Sequence, residues 1–103
     1  MKRFSYGDEV LFDLEQIWDY IAHDDVEAAD RWIEKLLDAF DFLAEHPGAR
    51  HLRRDLTRLD LLFWPVEEYL LLYQRSPSGI EILAVTRGSR DIPILLQQRK
   101  SRR

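Results

Sequence analysis

Ala29, Ile33, Leu36, Phe40 and Leu43 recur at spacings of 4, 3, 4 and 3, and only an α-helix gathers such positions on one face. Trp32, Leu37 and Ala44 widen that stripe. Upstream, Val10, Leu14, Ile17 and Ile21 repeat the pattern at 4, 3 and 4, widened by Leu11 and Trp18. The pair Asp24-Asp25 lies between the two stripes, and Asp24 with Glu27 three residues on predicts a capping box with Asp as the cap. Pro47-Gly48 stops the second helix after His46. Two amphipathic helices joined by so few residues must lie antiparallel. Their stripes are wider than one another can cover, so the hairpin needs a second layer.

The rest of the chain supplies that layer. Residues 3–6 alternate and predict a short strand ended by Gly7. Past a basic loop holding Arg50, His51, Arg53 and Arg54 come three runs of strand character. The first is Leu59–Trp64, ended by Pro65. The second, Tyr69–Arg75, is nearly continuous in apolar residues, as a central strand requires. Ser76-Pro77-Ser78-Gly79 predicts a hairpin turn into Gly79–Thr86, where Ile80, Ile82 and Ala84 alternate with Glu81, Leu83 and Val85. Short connections pair these three runs antiparallel. The expected fold is α+β in the order β-α-α-β-β-β, with a helical hairpin packed on an antiparallel sheet. A short C-terminal helix is expected over Asp91–Gln98, with Asp91 as N-cap and Pro93 in its first turn. Residues 1–98 make one domain and residues 99–103 a loose basic tail.

Length and charge restrict what such a domain does. At 103 residues the chain holds a single core. It contains no cysteine, which excludes disulfides and thiolate metal sites. The net charge of -4 hides a polarity: 13 acidic and 4 basic residues lie at or before residue 46, against 6 acidic and 11 basic from Pro47 onward. A basic surface on the second half suits an acidic partner or nucleic acid; solvated faces on both halves suit the same counts. No apolar stretch matches a signal peptide or a membrane span, so a cytoplasmic protein is expected.

The inventory favours binding over catalysis. His23, His46 and His51 form no i, i+4 pair, and neither a metal nor any other cofactor is expected. No serine stands in a Gly-x-Ser-x-Gly turn, and Gly7, Gly48, Gly79 and Gly88 make no phosphate loop. The helical carboxylates are spaced for solvation, and Trp18, Trp32 and Trp64 for core or interface packing. The segment Val85-Thr86-Arg87-Gly88-Ser89-Arg90-Asp91-Ile92 leaves the last strand with two guanidinium groups. One reading pairs Arg87 or Arg90 with Asp91 to fix the exit from the sheet; another has both act with Arg53 and Arg54 on an anionic surface or phosphate backbone, and the two are compatible.

The block Asp13-Leu14-Glu15-Gln16-Ile17-Trp18-Asp19-Tyr20-Ile21-Ala22 resembles a helix of the ParE toxins of the RelE/ParE superfamily. The resemblance continues through Ala28-Ala29-Asp30-Arg31, His46-Pro47-Gly48, Tyr69-Leu70-Leu71-Leu72-Tyr73, Ile80-Glu81-Ile82-Leu83 and Arg90-Asp91. It spans nearly the whole chain in order, with one departure: many relatives carry a histidine where this chain has Thr86-Arg87-Gly88. The resemblance implies a toxin of a type II toxin–antitoxin system that poisons DNA gyrase. It also implies a cognate ParD-like antitoxin in a hetero-oligomeric complex, touching DNA only through that complex or through gyrase. Target-binding candidates are Arg53, Arg54, Arg87, Arg90, Ile92, Leu95 and Leu96. Antitoxin-binding candidates are Trp32, Leu62 and Trp64, for which ordinary core packing is the competing account. Two other functions remain open: a RelE-like ribosome-dependent mRNA endonuclease, and a non-toxic corepressor that binds an antitoxin. The last tyrosine is Tyr73 and the last histidine His51, so the C-terminal segment itself has no ring to assist proton transfer in RNA cleavage.

Overall fold

The computed structural model describes residues 4–46, 61–77 and 79–88, together with the backbone of 51–52. Strand β1 (Phe4–Tyr6) leads straight into helix α1 (Asp8–Ala22), and α2 (Val26–Glu45) follows. The sheet is completed by β2 (His51–Leu52), β3 (Leu62–Val66), β4 (Tyr69–Ser76) and β5 (Gly79–Arg87), in the spatial order β1-β5-β4-β3-β2. The expected short helix over Asp91–Gln98 and the tail lie outside the described residues.

Strands β2, β3, β4 and β5 pair antiparallel with one another in turn, as their connections require. Strand β1 runs parallel to β5, with Phe4 opposite Ile80 and Tyr6 opposite Ile82, so the sheet is mixed rather than wholly antiparallel. Both helices and three strands intervene between β1 and β5, so no hairpin dictates its direction. A second difference is β2, whose two residues fall in the stretch expected to be loop.

The helical hairpin is fixed locally. The Asp25 side chain, rather than that of Asp24, caps α2 by accepting from the Ala28 N–H at 3.1 Å. The backbone N–H groups of both Asp24 and Asp25 donate to the Ile21 carbonyl, which closes α1. Across the hairpin, the Trp18 indole donates to Asp30 at 2.8 Å. At the far end His46 ends α2, its N–H donating to the Phe42 carbonyl at 2.9 Å.

The apolar stripes of both helices meet one face of the sheet. Leu36, Phe40 and Leu43 pack there with Tyr69, Leu71 and Tyr73 of β4 and with Ile80 and Ile82 of β5. On the opposite face Leu61, Phe63, Leu70, Leu72 and Ala84 form a second buried cluster. Strand β4 is thus enclosed on both sides, which accounts for its unbroken apolar run.

Two local irregularities depart from the sequence pattern. Leu72 pairs with Ala84 but Tyr73 pairs with Ile82, leaving Leu83 as an extra residue in β5. This bulge breaks the alternation: Ala84 turns to the second cluster with Leu83, and Val85 joins Ile80 and Ile82 on the helix side. Pro65, expected to end a strand, lies inside β3 opposite Leu70. It is tolerated because β2 pairs only with Leu62 and Phe63, so Pro65 sits on a stretch of edge where no ladder N–H is called for. The β3–β4 hairpin then turns through Glu67-Glu68, with Glu67 at φ 54. Neither residue is a turn former, and the sequence carries no signal for this turn.

Candidate partner-binding site

Arg87 is the one target-binding candidate that falls among the described residues. It stands at the end of β5, where the strand has outrun β1 and lies against α1 instead. Gly88 follows at φ 80, a left-handed backbone that favours glycine. Its N–H donates to the Glu68 carbonyl at 3.1 Å, and the Thr86 hydroxyl donates to the Gly88 carbonyl at 2.7 Å. The strand end is therefore tied to the β3–β4 turn through Gly88, directly after Arg87.

The guanidinium itself is engaged. Its Nε lies 3.0 Å from Glu68 Oε2, and its Cζ lies 5.0 Å from the centre of the Tyr20 ring. A side-chain hydrogen bond to Tyr20, followed by the Tyr20 and Glu68 charges, holds the Arg87 pKa above its usual value. Below this pair lies Tyr69, 3% exposed. Burial raises the Tyr69 phenol above its ordinary 10.0, the Glu68 carboxylate adds to the shift, and Arg87 opposes it.

These groups close one end of a cleft of about 250 Å³ between α1 and the β5–β4 edge, lined by Asp13, Gln16, Ile17, Tyr20, Tyr69, Val85 and Arg87. Its floor is apolar, since Ile17, Tyr69 and Val85 are all buried. Asp13 holds its other wall in place by accepting from the Val85 N–H at 3.0 Å. The cleft offers an apolar slot with a carboxylate at one end and a shielded cation at the other.

A second groove of about 380 Å³ runs beside α2, lined by Ala28, Arg31, Trp32, Lys35 and Glu67. Trp32 packs edge-on against Tyr69 with ring centres 5.0 Å apart, Lys35 lies 5.0 Å over the Trp32 ring, and Lys35 pairs with Glu67. Trp64 stacks at a tilt on Phe42, 5.5 Å away, and Phe42 in turn stacks on His46. Trp32 and Trp64 are each half-buried, whereas Leu62 is only 7% exposed and belongs to the helix–sheet core. Trp32 and Trp64 thus keep exposed surface, and Leu62 keeps little. Arg53, Arg54, Arg90, Ile92, Leu95 and Leu96 lie outside the described residues.

The residues that surround Arg87 were not singled out by sequence reasoning. Tyr20 and Glu68 come from α1 and the β3–β4 turn, far from Arg87 along the chain. One signal was present: Phe12, Gln16 and Tyr20 recur every four residues on the polar side of α1, where aromatic rings are out of place unless something meets them.

An α-helical hairpin on a mixed five-stranded sheet, with a cleft at the α1–β5 junction, defines a small α+β domain. The family model for the ParE toxin of type II toxin–antitoxin systems, parDE, matches residues 5–92. The chain belongs to that family. Among solved structures it is similar to one described as the chromosomal ParDE TA system from P. aeruginosa, with a TM-score of 0.69 and 17% identity. That match covers 85% of this chain and 97% of the other, and at this identity it speaks for the fold. No curated protein matches the chain. Among the described residues, no helix is long and apolar enough to cross a membrane.

Proposed function

We propose that this ParE-family toxin acts by binding, inhibits DNA gyrase in the cytoplasm, and is neutralised by a cognate ParD-like antitoxin. The observation that carries the choice of binding over catalysis is the pairing of Arg87 with Glu68 at 3.0 Å. A guanidinium that must stabilise a scissile phosphate needs its charge free for that phosphate. Here a carboxylate and a tyrosine ring already occupy it.

The ribonuclease reading draws one point in its favour from the fold, because Tyr20 and Tyr69 bring to Arg87 the rings that its own segment lacks. Their chemistry argues the other way. A phenol whose pKa is raised by burial and a neighbouring carboxylate is a poor general base at neutral pH. Trp32 on α2 and Trp64 on β3, both half-buried, remain the antitoxin-facing candidates, and Arg87 the target-facing one.

The test is inducible expression in a bacterial host without antitoxin, scored for growth, DNA-damage response and bulk translation. Growth arrest with DNA damage, continuing translation and gyrase-linked cleavage is expected, and relief of that arrest by co-expressed antitoxin. Immediate loss of translation, with mRNA cleavage that disappears in Arg87→Ala, would replace the gyrase reading with the nuclease. Normal growth would leave a corepressor that only binds its antitoxin.

A further inference from the structure

The face of the sheet turned away from both helices is sealed by something other than the sheet. Its cluster is Leu61, Phe63, Leu70, Leu72 and Ala84, with Leu83 packed against them. Among the described residues, every one of these stands on a strand or directly precedes one, and the helices pack on the other face. Yet Phe63, Leu72 and Ala84 are 0% exposed. A sheet bare on one side leaves its outward side chains open to water, and a ring such as Phe63 loses its last accessible surface only when atoms lie over it. Phe63 pairs with Leu72 and Leu72 with Ala84, so the three stand side by side on β3, β4 and β5 and the cover crosses all three strands. What it must offer is apolar. The polar groups that bound the cluster are already satisfied: the Gln74 amide donates to Glu81 at 2.7 Å at one end, and the Thr86 hydroxyl to the Gly88 carbonyl at the other.

One part of the chain outside the described residues matches that demand. Residues 89–103 follow β5, and Ile92, Ile94, Leu95 and Leu96 fall within five positions there. Ile92, Leu95 and Leu96 have the i, i+3, i+4 spacing that lines one face of a helix. The stretch 53–60 holds only Leu56 and Leu59 among five charged residues. Reach agrees as well. An eight-residue helix is about 12 Å long, and three adjacent strands span roughly 10 Å. The point of departure is fixed, because Gly88 at φ 80 ends the strand and its N–H donates to the Glu68 carbonyl.

From these observations we infer that residues 91–98 lie over the outer face of the sheet as an internal cover, with Ile92, Leu95 and Leu96 set against Phe63, Leu72 and Ala84. The three side chains are thereby core and not target contacts, and of the segment's candidates only its arginines are left to meet a target. A second copy of the chain is disfavoured as the cover, since the face is already closed in a single copy. The inference narrows the target half of the proposed function without resting on it, for a sheet face needs its cover whatever the target.

The chain contains no cysteine, so one introduced thiol reports on one place. Ala84→Cys sets a thiol in the outer face and Ala29→Cys one on α2, each at a position 0% exposed. Reaction of each full chain with a maleimide is followed under native conditions, and both are expected to be slow. Adding Leu95→Ser with Leu96→Ser should speed labelling of Ala84→Cys roughly tenfold or more and leave Ala29→Cys near its former rate. Leu96→Ala, a milder change, should move the ratio of the two rates in the same direction. That ratio is the readout, so a general unfolding that raises both rates alike in both variants overturns the proposal, as does an unchanged ratio. Opening of Ala84→Cys by Leu56→Ser with Leu59→Ser, and not by the C-terminal changes, would give the cover to residues 53–60. Protection that appears only at high protein concentration would give it to a second copy. Either result overturns the proposal. Labelling requires no growth arrest, so its failure and that of the gyrase reading remain distinguishable.

Discussion

The Asp13 carboxylate accepts a hydrogen bond from the Val85 backbone N–H at 3.0 Å, joining positions 72 apart in the chain. Strand β1 shields β5 only from Ile80 to Ile82. Beyond that point the edge is answered by α1, and Asp13 takes the place that a further β1 residue would hold. An edge N–H left open invites pairing with another chain, and a side-chain acceptor closes it. The Leu83 bulge is what turns Val85 toward the helix side.

Asp13→Ala leaves that part-buried N–H without its acceptor and should cost about 1–3 kcal/mol of unfolding free energy. Asp13→Asn keeps a carbonyl oxygen at the same place and should recover much of the loss. Urea denaturation of the three proteins decides it. Equal midpoints for Asp13→Ala and the parent chain would show that the bond adds nothing.

Phe40 is fully buried between the hairpin and the sheet, edge-on to Phe4 with ring centres 5.5 Å apart. Phe40→Ala should therefore cost about 3–5 kcal/mol, enough to unfold a marginal domain of this size. Phe40→Leu, which keeps most of the volume, should stay folded. Circular dichroism melts of both variants test the contrast.

Asp25→Ala should lower stability by about 1 kcal/mol through loss of the α2 cap, and Asp24→Ala by clearly less, because only Asp25 accepts from Ala28. The comparison separates two adjacent aspartates that the sequence pattern assigns the other way round. A larger loss at Asp24 would contradict the geometry.

The raised Tyr69 pKa sets a pH dependence of definite sign. In the unfolded chain the phenol ionises near its ordinary 10.0, and in the folded chain only at higher pH. Between those values the folded state binds more protons. The stabilisation is fully present below pH 10.0 and is lost as pH rises through the folded pKa. Tyr69→Phe should flatten that decline in stability measured above pH 10.0. An unchanged slope would mean that Tyr69 ionises alike in both states.

Arg87→Ala should change the melting temperature little, because the Arg87–Glu68 pair is half-exposed on both sides. Any loss of growth arrest in this variant then reports a lost target contact rather than a lost fold. A large drop in melting temperature would remove that interpretation.

Much of the fold is legible without coordinates, and for a local reason. The stripes at Val10–Ile21 and Ala29–Leu43, the stop after His46 and the turn before Gly79 each depend on residues within a few positions of one another. Helical spacing, capping chemistry and turn formers act over that range, so the hairpin and the central apolar strand follow from the chain itself. The family likeness was legible in the same way, as ordered blocks along the chain.

What the chain alone did not decide are the relations that cross it. Nothing near Phe4–Tyr6 says that β1 lies parallel to β5, and nothing near Leu83 announces a bulge that moves Val85 to the helix side. Arg87 carries two possible roles in the sequence, and its neighbours Tyr20 and Glu68 become visible only when α1 and the β3–β4 turn converge on it. The physical reason is the same in each case. Strand pairing, bulge register and the partner of an exposed charge are settled by which distant surfaces pack together. Local propensity acts before those surfaces meet and cannot choose among them.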